Sequence, residues 1–203
     1  MRVLQYDFFI AFHFPLKSAF LALPLEGEAK KYFQMLQGKL VPFSDILRFQ
    51  NPQSPHLTLQ FWKEVMEIEY APIVTKAKEI ASRSQSFALQ ITGAETFGAR
   101  GEDRVLFLNV AFSPELATLK KLCPWPSDKP FAPHITLARI GHPQRFAVVK
   151  KKVMKMLEGC GFAMQVDRLR LYAEVEGRKQ TVLEEFLFTI TEDTNIKKMI
   201  NNQ

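Results

Sequence analysis

Pro55-His56-Leu57-Thr58-Leu59 returns, with one aliphatic residue exchanged for another, as Pro133-His134-Ile135-Thr136-Leu137. In an extended strand alternate side chains share a face. His56 and Thr58 therefore point one way, and Leu57 and Leu59 the other. The same holds for His134 and Thr136, with Ile135 and Leu137 behind them. Each aliphatic face needs a core to cover it, so each strand lies in a sheet with one face packed and one face open. Two such strands placed side by side gather two imidazoles and two hydroxyls around one cleft.

Short runs rich in β-branched and aromatic residues predict further strands at 8–14, 87–91, 104–110, 164–172 and 181–190, and extend the two histidine strands to 56–62 and 134–140. Helical patterns occupy 29–40, 65–82, 114–122 and 145–159. Pro72 places the start of the second helix near itself. Ser113-Pro114 caps the third, and Gly159 stops the fourth. Proline-rich stretches at 41–55 and 123–133 read as loops, each leading straight into a histidine strand. Strands alternating with helices predict a mixed α/β or α+β architecture.

The most apolar stretch, 8–25, contains His13, Pro15 and Lys17, which argues against a membrane span or a signal peptide. It reads as a buried strand over 8–14 that Pro15 ends, with His13 on it as a structural or cleft-lining residue. His142 falls in a Gly-His-Pro turn and reads as exposed. Residues beyond Ile190 form a polar tail.

The 203 residues suit one large domain or two small lobes on a shared core. Hydrophobic residues at 47% and charged residues at 24% are globular proportions, and 18 phenylalanines imply a well-filled core. A net charge of +6 favours polyanionic partners. The basic run Arg145, Lys150, Lys151, Lys152 and Lys155 reads as a solvated helix face that can also steer RNA weakly. Cys123 and Cys160 make no disulfide framework and read as reduced thiols of a cytoplasmic protein. Trp62, Trp125 and Phe131 flank the motifs and either stack a base or pack against the core.

The paired motif suits phosphodiester chemistry. Breaking a P–O bond near neutral pH takes a base for the attacking oxygen and an acid for the leaving one. Histidine titrates in that range, so a neutral and a protonated imidazole can coexist. Threonine hydroxyls donate to non-bridging oxygens as charge develops. A metal site needs further ligands, and neither His13 nor His142 has partners at ligand spacing.

The repeated His-x-Thr signature resembles the 2H phosphoesterase superfamily. Phe131-Ala-Pro-His134-Ile-Thr136-Leu-Ala-Arg139 resembles the second motif of its RNA 2',3'-cyclic phosphodiesterase branch, also called 2'-5' RNA ligases. Residues 9–15 resemble that family's opening strand, 104–108 the strand before the second motif, and 166–172 with 182–186 its closing hairpin. The likeness covers about 8–190, in the family's order. It implies a single bilobal α+β domain with two antiparallel sheets, helices outside, and approximate two-fold pseudosymmetry around a central cleft.

The resemblance also implies hydrolysis of an RNA 2',3'-cyclic phosphate to a 2'-phosphate, without metal or cofactor, by a cytoplasmic monomer that needs no membrane. It makes His56 the proton donor, His134 the proton acceptor, Thr58 and Thr136 phosphate ligands, and Arg139 a substrate-binding residue. Read from the residues alone, the two histidines are equivalent. A small cyclic nucleotide or an ADP-ribose cyclic phosphate suits the same chemistry, and an RNA-binding module with ligase side activity is the reading from another class.

Two departures stand out: the long loop 43–55 is less typical of the family, and the exit from the first motif differs, whereas Arg139 matches the family arginine but poses a difficulty of direction. Phe61-Trp62-Lys63-Glu64 replaces the family's apolar-Leu-Gly-Glu after the first motif. Arg139 lies five residues after His134, an odd number, so a regular strand turns it to the opposite face. Arg139 reaches a phosphate only if the strand bends, bulges or ends before it.

Overall fold

Nine strands and four helices make up the described residues, 13–127 and 130–189, of the computed structural model. In chain order they are β1 (Leu16–Pro24), α1 (Gly27–Lys39), β2 (Leu47–Phe49), β3 (His56–Val65), α2 (Glu67–Ser82), β4 (Phe87–Ala99), β5 (Glu102–Val110), α3 (Pro114–Leu122), β6 (His134–Ile140), α4 (Pro143–Met156), β7 (Phe162–Val166), β8 (Arg168–Val175) and β9 (Arg178–Leu187).

The strands pair antiparallel in the order β7-β4-β5-β6-β3-β1-β8-β9, with β2 beside β6. The α+β class is as expected, and the two anticipated sheets are halves of one. They meet where β6 lies against β3, with Leu57 opposite Ile135. The junction thus falls between the two strands that carry the repeated pentapeptide. Asp167 alone separates β7 from β8, which lie toward opposite ends of the pairing path, so the sheet curls.

Alternation decides which face is packed. Leu57, Leu59, Ile135 and Leu137 are buried, and they join Leu21, Leu108 and Leu171 from neighbouring strands in one cluster. Phe33 and Leu36 of α1, Ile73 and Ile80 of α2, Leu116 and Leu119 of α3, and Phe146 and Val153 of α4 pack into the same cluster. Each buried aliphatic side chain contributes about 1.5–3 kcal/mol relative to exposure. Both halves of the sheet share this core, so neither packs alone.

Several elements differ from expectation. Among the described residues the first strand is Leu16–Pro24, which begins after Pro15, beyond the stretch 8–14 expected as a strand. Residues 8–12 lie outside the described ones, and His13 is exposed and outside any strand. Pro15 has no N–H for a ladder and marks the strand's start. Lys17 and Ser18 disguise the strand, but they sit at its irregular first turn, where Ser18 has φ +50°. The stretch 164–172 is two strands, broken at Asp167. The proline-rich stretch 41–55 contains β2.

α2 starts at Glu67, so Pro72 falls in its second turn and costs one backbone hydrogen bond. The start is fixed instead by Glu69, whose carboxylate accepts the Met66 N–H at 2.8 Å. α3 starts where expected, with Ser113 Oγ accepting the Leu116 N–H at 3.1 Å.

Candidate active site

Antiparallel pairing of Leu57 with Ile135 brings His56 beside Thr136 and Thr58 beside His134. The two aliphatic residues go into the core, and all four polar side chains lie on the other face. The local structure around each histidine is the same. His56 Nδ1 is 2.7 Å from the Ser54 carbonyl, and His134 Nδ1 is 2.8 Å from the Ala132 carbonyl. A carbonyl only accepts, so each Nδ1 carries the proton and each Nε2 is left for the cleft. Ser54 and Ala132 both precede a proline, which holds them extended.

Each strand then bulges three residues past its histidine. On β3, Thr58 faces Ala22 and Gln60 faces Leu21, so Leu59 is the extra residue. On β6, Thr136 faces Phe107 and Ala138 faces Leu106, so Leu137 is the extra residue. A one-residue bulge reverses the alternation beyond it. Arg139 consequently returns to the face of His134 and Thr136, across from Val105. This resolves the parity difficulty that its odd spacing poses. The fifth residue after His56, Phe61, returns to the cleft face in the same way and is 56% exposed.

Bulged carbonyls in a core need donors. A helix supplies one to each. Gln37 of α1 is buried, and its Nε2 donates to the Leu137 carbonyl at 2.9 Å and to the Gln50 carbonyl at 2.9 Å. The Gln50 N–H adds a second bond to the Leu137 carbonyl at 3.0 Å. On the other strand, Lys120 Nζ of α3 donates to the Leu59 carbonyl at 2.8 Å and to Gln60 Oε1 at 3.3 Å. Gln60 Nε2 in turn donates to the Pro126 carbonyl at 3.0 Å.

The aromatic surroundings differ. His56 is stacked on Phe20, with ring centroids 4.6 Å apart and planes 27° apart, and Tyr172 packs against both rings, 4.8 Å from Phe20 and 5.6 Å from His56. Burial in this stack lowers the His56 pKa to about 4. The Ser54 carbonyl works against that shift, and the charge of nearby His134 adds to it. His134 instead makes T-shaped contacts with Phe97 and Phe107, at 5.2 and 5.6 Å.

Other candidates fall outside the cleft. Trp62 and Trp125 pack edge-to-face at 5.1 Å against the core, and Lys120 lies over Phe131 at 5.4 Å. The basic run on α4 is partly neutralised: Lys150 pairs with Asp103 at 2.9 Å, Arg145 pairs with Asp45, and Lys152 lies over Phe43. His142 is exposed beside the start of α4. Cys123 and Cys160 are free and buried, and burial raises both thiols. Among the described residues no helix is long and apolar enough to cross a membrane.

Sequence reasoning did not single out Phe20, Phe97, Phe107, Tyr172 or Arg48 as lining residues. Only Phe61 carried a readable signal, because it occupies the place after His56 that Arg139 occupies after His134.

The fold is shared with known structures. A crystal structure of a Thermus thermophilus protein matches with a TM-score of 0.66 and 25% identity, over 84% of this chain and 97% of that one. Escherichia coli LigT in apo form matches with a TM-score of 0.64 and 24% identity, over 86% and 99%. An RNA 2',3'-cyclic phosphodiesterase of Geobacillus stearothermophilus is 27% identical over 161 residues, which is 75% of this chain and 51% of that protein. One of the same name from Aquifex aeolicus is 28% identical over 104 residues, 46% of this chain and 55% of that protein. The chain thus spans about half the length of these two relatives. A family model, the 2'-5' RNA ligase superfamily, matches residues 47–178, which takes in both pentapeptides, both bulges and Arg139. On that match over more than half its length, with the shared fold beneath it, the chain belongs to the 2'-5' RNA ligase superfamily.

Proposed function

We propose that the chain is a metal-independent phosphodiesterase that opens an RNA 2',3'-cyclic phosphate to a 2'-phosphate. The observation that carries this reading is the alternation of His56, Thr136, Thr58 and His134 across one strand junction, on the face away from the core. The relatives named RNA 2',3'-cyclic phosphodiesterase support the substrate class.

In the proposed reaction, Nε2 of His134 takes a proton from water as the water oxygen bonds to phosphorus. The bond from phosphorus to the 3'-oxygen breaks, and His56 gives that oxygen a proton through its Nε2. The phosphate stays on the 2'-oxygen. Thr58 and Thr136 donate to the non-bridging oxygens, and Arg139, turned into the cleft by its bulge, offsets their charge. Burial keeps His56 neutral in the free protein, so in this assignment the bound phosphate anion raises its proton affinity. The chain acts as a monomer in the cytoplasm, where its two buried thiols stay reduced.

The test is incubation of metal-free protein with an oligonucleotide ending in a 2',3'-cyclic phosphate. The expected product is a 2'-phosphate end, formed about 10²–10⁴-fold more slowly by His56→Ala or His134→Ala. An intact substrate, or a His56→Ala rate equal to that of the wild type, ends the proposal.

A further inference from the structure

We propose that Arg48, beside Arg139, forms a second phosphate subsite, which takes an internal phosphodiester of the RNA strand whose cyclic end lies between the histidines. The inference rests on the reading above and extends it from a chemistry to a polymeric substrate.

β2 pairs with the far half of β6, and its register sets Arg48 directly opposite Arg139. Neighbouring strands lie about 4.8 Å apart. Like charges directly opposite each other in a sheet are destabilising, so an anion bound between them relieves the arrangement. The two side chains share a face. A Cβ added at Gly141, two residues past Arg139, would lie 3.5 Å from Arg48 Nε, so the Arg48 side chain runs over that glycine. Both arginines are exposed.

Most other described arginines, Arg100 excepted, are matched to acids: Arg104 with Glu102, Arg145 with Asp45, Arg168 with Asp167 and Glu185, Arg170 with Glu26 and Glu185. Among the described residues neither Arg48 nor Arg139 has an ion pair or a side-chain hydrogen bond. These two unmatched arginines stand opposite each other in the register.

Their position selects the occupant. Arg139 follows Thr136, the neighbour of His56, so the pair extends the cleft from the His56 corner. The same row across the sheet continues from Arg139 to Val105 and then to Phe97, which is 44% exposed. Two cations and an aromatic face in one row match a single-stranded nucleic acid, which presents a phosphate and a base at every step. A lone small anion needs no aromatic face.

The experiment compares two substrates: a 2',3'-cyclic mononucleotide with a free 5'-hydroxyl, and a pentanucleotide with the same cyclic end. In the wild type kcat/KM is expected to favour the pentanucleotide. Arg48→Ala is expected to reduce that preference about tenfold, through KM rather than kcat, since a charge-assisted contact is lost. Arg48→Lys, which keeps the charge, is expected to restore most of it, and melting curves check that both variants fold. An unchanged preference in Arg48→Ala overturns the subsite.

If the wild type cleaves neither substrate, the hydrolase reading falls and the subsite is judged by binding. A single strand ending in a 3'-phosphate is then titrated at several salt concentrations. Arg48→Ala must lower the slope of log K against log salt by about one. An equal slope overturns the subsite there too.

Discussion

β3 and β6 start from the same five-residue pattern and build the same local structure, yet they give their histidines different surroundings. Both hold the imidazole through Nδ1 on the carbonyl two residues before it. Both bulge at the third residue past the histidine, and both have the bulged carbonyl caught by a side chain from a helix. The difference lies in what the neighbouring strands bring. β1 and β8 pack Phe20 and Tyr172 against His56, whereas β4 and β5 bring Phe97 and Phe107 to His134 only in T-shaped contacts. Past the bulge, one strand presents Phe61 to the cleft and the other Arg139. A repeated pentapeptide sets the same face and the same Nδ1 contact on both strands, and nonlocal packing differentiates the two copies.

If that differentiation sets the acid and base, it shows as an unequal response to the leaving group. Loss of either histidine is expected to cost about 10²–10⁴-fold on a cyclic phosphate. A p-nitrophenyl phosphodiester leaves without a proton, so a variant that lacks only the acid recovers on it. His56→Ala is expected to approach the wild-type rate on that substrate while His134→Ala stays impaired. The reverse pattern transfers the acid role to His134, the less enclosed ring. Equal impairment removes the distinction altogether.

The shared bulge is open to a finer test. Gln37 holds the Leu137 carbonyl, so it is expected to act on substrate through the direction of Arg139. Gln37→Leu leaves a buried carbonyl short of one donor, and about 1–3 kcal/mol of stability goes with it. A KM increase of about tenfold, the loss of a single charge-assisted contact, is expected in addition. That increase must vanish when Arg139→Ala is already present, because the two changes then remove one interaction. Lys120→Met releases the other bulge, at Leu59, and is expected to remain additive with Arg139→Ala. Additivity of both with Arg139→Ala breaks the link between the bulge on β6 and Arg139.

The extent to which this is legible in the sequence follows the range of each interaction. His56, Thr58, His134 and Thr136 can be placed on one face because a strand's period is a local property. The start of α3 can be placed because Ser113 caps within its own turn. The sequence also shows that Arg139 needs an irregular strand, but not where the irregularity lies. The donor that stabilises it, Gln37, is remote in the chain. β2 is hidden because three residues among prolines show no period, and they are a strand only through Ile140 and its neighbours. The strand Leu16–Pro24 is hidden because Lys17 and Ser18 interrupt its apolar run, and only pairing with β3 and β8 selects it. The Phe20 stack on His56 belongs to the same class: nothing near His56 in sequence announces it.

An effect on stability alone isolates the enclosure of His56 from its chemistry. Burial lowers the His56 pKa from an ordinary 6.5 to about 4 in the folded state, so the unfolded chain binds the proton more readily. Stability from this group is therefore complete above about pH 6.5 and is lost progressively as pH falls toward 4. His56→Asn keeps a polar planar group over Phe20 without a proton to gain. Its urea midpoint is expected to fall less than that of the wild type between about pH 7 and about pH 4, a range that brackets the two pKa values. The difference is at most about 1.4 kcal/mol for each pH unit that separates the folded and unfolded pKa. Solvent reaching the ring edge reduces that bound. Parallel curves for the two proteins would mean that the stack on β1 and β8 does not exclude the charged imidazole, and the contrast between the two strands would then rest on Phe61 and Arg139 alone.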